Sequence, residues 1–189
     1  MFDNCGREIS YLRLSVTERC TLRCMYCRAD EGCCPKQVEL NARDLVRIAD
    51  ACVDLGITRV RLTGGEPLLR RDIVQIVSGI RANPKIRELS LTTNAQMLAE
   101  VAAGLKQAGL DRVNISLDSL KPDVFHQMTG GDLEKVKAGI TASIEAGLNP
   151  IKINVVLVRG WNDLEVDDFI DLTKDHALDV RFIEYMPIG

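Results

Sequence analysis

Thr58-Arg59-Val60-Arg61-Leu62-Thr63-Gly64-Gly65-Glu66-Pro67 is a short β-branched run that breaks on two glycines. A helical pattern over 71–82 follows, and Asn83-Pro84 stops it. The same strand–loop–helix unit recurs along the chain. Upstream, 12–17 read as a first strand. Residues 41–55 read as a helix, opened by Asn41 with Asp44 three positions on and closed by Gly56. Downstream, strands are expected at 86–93, 112–117, 151–158 and 180–184. Helices are expected at 97–108, at 133–146 after a break near Gly130-Gly131, and at 163–175. Six alternations joined by right-handed crossovers predict an α/β fold with parallel strands, a partial (β/α)6 barrel of the TIM type. Its site belongs at the carboxyl ends of the strands. A doubly wound open sheet shows the same alternation, but no G-x-G-x-x-G follows the first strand.

The 189 residues suit one domain, expected to span 1–189. Apolar residues make up 46% and charged residues 27%, which excludes disorder and low-complexity arrays. A net charge of -3 argues against a protein that works by neutralising nucleic-acid phosphates, though it leaves room for a local basic pocket. No apolar run of about 18 residues is present, so no membrane association is expected. The first residues lack the layout of a signal peptide, which makes the reducing cytoplasm the expected location.

Six of the seven cysteines fall in the first 34 residues. Crowding of that kind points to metal or redox chemistry rather than a disulfide scaffold. Cys20, Cys24 and Cys27 form a C-x3-C-x2-C set, for which chance predicts roughly 0.01 occurrences in a chain of this composition. Structural zinc wants four closed ligands, and only Cys33 and Cys34 are nearby spares. A four-iron cluster held by three thiolates instead keeps one iron open to a cofactor or substrate. Cys5, Cys33, Cys34 and Cys52 carry no assigned role; Cys52 falls on an apolar helical face with Leu45, Ile48, Ala49 and Leu55.

Polar residues recur at the strand ends and at alternate positions, which places them on one face. Arg13 and Ser15, Arg59 and Arg61, Asn114, Ser116 and Asp118, and Lys152 and Asn154 are such sets. Thr92, Thr93 and Asn94 end the third strand, and Arg181, Glu184 and Met186 lie along and after the sixth. A row of this kind in each of six strands predicts a polar cavity rather than a solvated edge. Smaller signals carry little: His126 and His176 read as surface or capping residues, and Trp161 as a loop anchor. Glu165, Asp167, Asp168 and Asp171 read as a solvated helix face. Glu66 reads as a turn cap or a ligand for an amino group.

The cysteine triplet with Tyr26 before its last member, and Gly64-Gly65-Glu66-Pro67 after the second strand, resemble the radical S-adenosylmethionine superfamily. Leu12 to Cys20, Arg61 to Asp72, Leu91-Thr92-Thr93-Asn94, Asn114 to Asp118 and Arg181 to Met186 are similar to the GTP 3′,8-cyclase family, whose members begin molybdopterin synthesis. The resemblance implies a [4Fe-4S] cluster on Cys20, Cys24 and Cys27, with S-adenosylmethionine on its open iron. Cleavage of that cofactor by one electron would give a 5′-deoxyadenosyl radical that removes the 3′ hydrogen of GTP. The resulting carbon radical would attack C8 of the guanine. By matching motifs, Tyr26, Gly65, Ser116 and Met186 would contact S-adenosylmethionine, and Arg13, Arg61, Thr92 and Lys152 would contact GTP. An electron donor protein and a homodimer are implied as well. Two departures from the family stand out. Ala95 replaces the usual glycine in a turn expected to need positive φ. No cysteine follows Cys52, so the family's second, guanine-binding cluster has no ligands here, and weak or absent cyclisation is expected of these residues alone.

Overall fold

The computed structural model describes residues 3–27, 39–175 and 177–186. Cys33, Cys34 and His176 lie outside the described residues. Strand β1 (Tyr11–Ser15) precedes helix α1 (Ala42–Asp54), β2 (Arg59–Thr63) precedes α2 (Ile73–Arg81), and β3 (Glu88–Thr93) precedes α3 (Leu98–Gln107). After β4 (Arg112–Ser116) come α4 (Pro122–Thr129) and α5 (Leu133–Glu145). Strand β5 (Ile151–Leu157), α6 (Val166–Asp175) and β6 (Leu178–Glu184) complete the order. Helix α1 starts at Asn41, whose side chain accepts from the Asp44 amide at 2.9 Å, so the sequence signal for that cap is realised. The break at Gly130 is a left-handed residue, φ 73°, that ends α4.

All strand pairs are parallel and the sheet order is β1-β2-β3-β4-β5-β6. Sequential order decides between the two architectures. Each crossover advances one strand in the same direction, so every right-handed connection lays its helix on the same face. A doubly wound sheet needs a reversal, and none occurs in this order. The partial (β/α)6 barrel follows.

The two faces of the sheet differ in chemistry. The outer face packs Leu14, Val60, Leu62, Leu89, Leu91, Val113, Ile115 and Ile153 into one core with Leu45, Ala49, Ile76, Leu98, Leu105, Val136 and Phe169 of the helices. Burying side chains of this size contributes about 1.5–3 kcal/mol each before conformational entropy is subtracted. The inner face carries the other alternation. Register sets Arg13 beside Arg61, Arg61 beside Ser90, and Ser90 beside Arg112. Nearer the carboxyl ends, Thr92, Asn114, Lys152 and Asp179 run side by side, then Ser116, Asn154 and Arg181. Of the polar residues read from sequence, Arg13, Arg61, Thr92, Asn114, Ser116, Lys152, Asn154 and Arg181 therefore share the interior face, while Thr93 and Glu184 fall on the other parity.

The acidic set after β5 divides. Asp167, Asp168 and Asp171 are exposed as expected, but Glu165 is buried. Its carboxylate accepts from the Ser119 hydroxyl at 2.8 Å and the Leu120 amide at 2.7 Å. It ties the loop after β4 to the loop after β5, where a solvated carboxylate was expected. Trp161 is 40% exposed, and its neighbour Asn162, fully buried, is the loop anchor instead. Asn162 donates to the carbonyls of Asp118 and Val156 and accepts from the Val158 amide. His126 is a surface residue whose Nδ1 lies 3.0 Å from the Gly131 carbonyl.

Candidate functional site

The cysteine loop leaves β1 and crosses the carboxyl end of the barrel, held from several sides. The Gly65 amide donates to the Thr17 carbonyl at 2.8 Å and the Glu66 amide to the Arg19 carbonyl at 2.7 Å. On the far side, the Arg23 and Met25 amides donate to the carbonyls of Thr129 and Met128 at the end of α4, both at 2.9 Å. Leu22 is buried nearby. The glycine pair has a definite steric task here. A Cβ on Gly64 would overlap the Thr17 carbonyl oxygen, and one on Gly65 the Arg19 carbonyl oxygen. These glycines admit the backbone of the cysteine loop.

Glu66 is almost fully buried and holds the next strand end. Oε1 accepts from the Leu68 amide at 3.0 Å and the Thr93 hydroxyl at 2.8 Å, and Oε2 accepts from the Asn94 amide at 2.7 Å. Burial pushes its carboxyl above the ordinary range against these three donors. The turn cap read from the sequence is realised in the bond from the Leu68 amide. Asn94 in turn donates from Nδ2 to Thr21 Oγ1 at 3.0 Å and to Cys20 Sγ at 3.7 Å. Ala95 follows with φ 61°, the positive value expected for that position.

Asp118 was expected to line the cavity with Asn114 and Ser116. It is instead buried beyond the end of β4 and fully engaged. Oδ2 accepts from the Tyr26 hydroxyl at 2.5 Å and Oδ1 from the Val156 amide at 2.8 Å. Burial raises the Asp118 carboxyl despite these donors. Burial, then the charges of Asp118 and Cys24, pushes the Tyr26 phenol upward, so its proton stays on the hydroxyl that Asp118 accepts.

Cys20 and Cys27 are exposed and Cys24 is half-buried. Burial pushes the Cys24 thiol up to about 12, and the neighbouring charges of Asp118, Cys27 and Cys20 add to that rise. Among the described residues, no three acidic, imidazole or thiol groups gather as the ligands of one ion. A cluster presents a separate iron to each thiolate, so its ligands stand farther apart than those of a single ion. Thiolate donors on a pinned, partly open loop fit such a cluster. Metal binding there releases the thiol protons.

Below the loop lies the cationic interior. Arg61 is half-buried over the Tyr11 ring, 5.2 Å from its centroid. Burial lowers its pKa, and Arg112, Arg13 and Arg181 press in the same direction through their charges. Its Nε, the Tyr11 hydroxyl and the Ser90 hydroxyl are buried without a hydrogen-bond partner. Arg112 donates to Asn114 Oδ1 at 2.9 Å and to Glu88 at 2.5 Å. Lys152 lies 3.4 Å from Asp179, and Arg13 and Arg181 are exposed on the edge strands β1 and β6. The structure brings Arg13, Arg61, Thr92, Ser116 and Lys152 to one interior face. Met186 sits past β6, 64% exposed. Sequence reading missed Arg112, Tyr11 and Ser90. Their alternation with apolar neighbours was available as a signal.

The comparisons agree with this arrangement. Residues 14–173 match the model of the Radical SAM superfamily. The GTP 3′,8-cyclase of Listeria welshimeri is 54% identical over 190 residues, covering 99% of this chain and 57% of the relative. The GTP 3′,8-cyclase of Alkaliphilus oremlandii is 50% identical over 192 residues, covering 100% and 60%. The chain therefore spans under two thirds of the length of these curated relatives. Among solved structures, Streptococcus suis SuiB bound to S-adenosylmethionine superposes with a TM-score of 0.74 at 21% identity, over 95% of this chain and 40% of that one. A pinned three-cysteine loop across the carboxyl end of a partial parallel barrel, matched over most of its length by that family's model, makes this chain a member of the radical S-adenosylmethionine superfamily.

Proposed function

We propose that residues 1–189 form the radical S-adenosylmethionine core of a GTP 3′,8-cyclase acting in molybdenum cofactor biosynthesis. The observation that carries the reading is the interior cationic face. Arg13, Arg61, Arg112, Lys152 and Arg181 outnumber Glu88 and Asp179 there, beneath the cysteine loop. Cationic donors facing a cavity suit a triphosphate. A peptide substrate would not need them, which favours GTP over the peptide-modifying relatives of the fold. The likeness to curated cyclases supports the same choice.

Cys20, Cys24 and Cys27 would hold a [4Fe-4S] cluster whose open iron takes S-adenosylmethionine. When bound, that pair supplies a hydrogen-abstracting carbon radical by one-electron cleavage of the sulfonium. The chain's own residues bind, orient and exclude water. Tyr26 commits its hydroxyl to Asp118, so its contact with the cofactor comes from the backbone. The Gly65 amide is committed to Thr17, which leaves its carbonyl. Ser116, beside Asn154, supplies a hydroxyl at the mouth, and Met186 an apolar flank. Arg61, stacked over Tyr11, has a buried Nε without a partner, and Lys152 lies 3.4 Å from Asp179 among the described residues. These two, with Arg13 and Thr92, would take the phosphates and ribose.

Among these 189 residues no cysteine follows Cys52, so the contacts proposed here are to the phosphates and ribose. A cytoplasmic setting, an electron donor protein and a homodimer belong to the same proposal. Among the described residues, no helix is long and apolar enough to cross a membrane. The test is anaerobic loading with iron and sulfide, then GTP binding by the parent and by Arg61→Ala. The proposal expects at least tenfold weaker binding in the variant. Equal binding, or none by the parent, counts against GTP.

A further inference from the structure

Asn94 sits in a fixed orientation against the first cysteine. Its Oδ1 accepts from the Gln96 amide at 3.1 Å. A backbone N–H can only donate, so the oxygen end of the amide must face Gln96 and the NH2 end must face the cysteine loop. From there Nδ2 reaches Thr21 Oγ1 at 3.0 Å and Cys20 Sγ at 3.7 Å. The Leu22 amide lies 3.4 Å from the same sulfur. Asn94 is only 8% exposed, its backbone amide is held by buried Glu66, and the residue after it is locked at φ 61°. The donor is therefore preorganised on a buried side chain that faces the exposed cysteine.

We infer that Asn94 is a positioning residue that sets the reduction potential of the metal cluster on Cys20, by donating an N–H···S bond to that ligand. The inference rests on the reading of Cys20, Cys24 and Cys27 as cluster ligands. Its physical basis is charge. Adding an electron to the cluster increases the negative charge on the ligating sulfurs, and a donor on one of them stabilises the reduced form. Removing the donor makes the potential more negative and the protein harder to reduce. The NH2 group carries two N–H donors, one for Thr21 Oγ1 and one for Cys20 Sγ, so removing the threonine oxygen leaves the bond to sulfur in place.

The test uses the whole chain, loaded anaerobically with iron and sulfide. Its midpoint potential is measured by mediated titration followed by electron paramagnetic resonance. Asn94→Leu keeps similar bulk and loses the donor. Asn94→Asp loses it and adds a negative charge. With full iron content, Asn94→Leu is expected to lower the reduced-to-oxidised ratio at fixed potential at least threefold, about 30 mV at 59 mV per decade. Asn94→Asp is expected to move it at least as far. Thr21→Val should show no negative shift. A parental potential in Asn94→Leu overturns the inference, and so does an equal negative shift in Thr21→Val, which would mark a general disturbance of the loop. Should the Asn94 variants not hold iron, the unsubstituted protein labelled with 15N-asparagine decides. Pulsed resonance of its reduced cluster should detect an asparagine nitrogen coupling, and its absence overturns the inference. A parent that binds no iron overturns the reading of the cysteines itself, and this inference with it.

Discussion

The Tyr26 hydroxyl donates to Asp118 Oδ2 at 2.5 Å, joining the cysteine loop to the segment after β4 across 92 residues of sequence. Asp118 Oδ1 accepts from the Val156 amide, so one carboxylate gathers the loop, β4 and β5. Tyr26→Phe removes one partner and leaves a buried acceptor unsatisfied. The expected cost is about 1–3 kcal/mol, read from urea unfolding of the metal-free protein. A change below a few tenths of a kcal/mol would mean that water replaces the hydroxyl and that the clasp contributes little.

Gly65→Ala tests the seat of the same loop. The added methyl would overlap the Arg19 carbonyl, which is backbone and cannot rotate away. The segment bearing Cys20 must shift, and iron bound after anaerobic loading should fall by more than half. Parental iron content in a folded Gly65→Ala protein would show that the close approach is not needed.

Ala95 occupies a left-handed position, φ 61°, that strains any residue with a Cβ. Ala95→Gly relieves about 1 kcal/mol of strain and loses about 0.8 kcal/mol of methyl burial, so the net change should be small. Ala95→Val places a branched side chain at that φ, close to Gly139 of α5, and should destabilise by more than about 2 kcal/mol. Comparable unfolding midpoints for the two variants would contradict the assignment of strain.

Burial raises the Glu66 carboxyl above its ordinary 4.5. A group whose folded pKa is raised binds its proton more tightly in the folded state. Its contribution to stability is fully present below 4.5 and is lost as pH rises through the folded value. Asp72 and Glu39, lowered first by hydrogen bonds from Arg70 and Arg19 respectively, act in the opposite sense and lose stability as pH falls below their ordinary values. Glu66→Gln should therefore remove a decline in stability on the alkaline side of 4.5, while the acid limb set by the other carboxylates persists. Parallel pH profiles for parent and variant would contradict the raised carboxyl.

Much of this architecture is legible in the sequence because it is periodic. Alternation along 59–63 and 112–116 sorts Val60 and Leu62 from Arg61, and Val113 and Ile115 from Asn114, before any partner is known. The three cysteines are legible because their spacing is local, and the turn at Ala95 is legible only through the family resemblance. Strand order is not, since the same periodicity serves a doubly wound sheet, and only the side on which each crossover packs decides. Asp118, Asn94 and Glu165 were misread or left without a role for a shared reason. Each is polar at a loop position, where solvation is the default, and its partners lie 92, 74 and 46 residues away. Spacing along the chain carries no record of such closures.

The most direct measurement is electron paramagnetic resonance of the anaerobically loaded, dithionite-reduced protein before and after addition of S-adenosylmethionine, alongside a variant with Cys20, Cys24 and Cys27 all changed to Ala. The account predicts a four-iron signal that the triple variant lacks, and that changes shape when the sulfonium occupies the open iron. Iron content no higher than in the triple variant, or a signal that S-adenosylmethionine leaves unchanged, would contradict it.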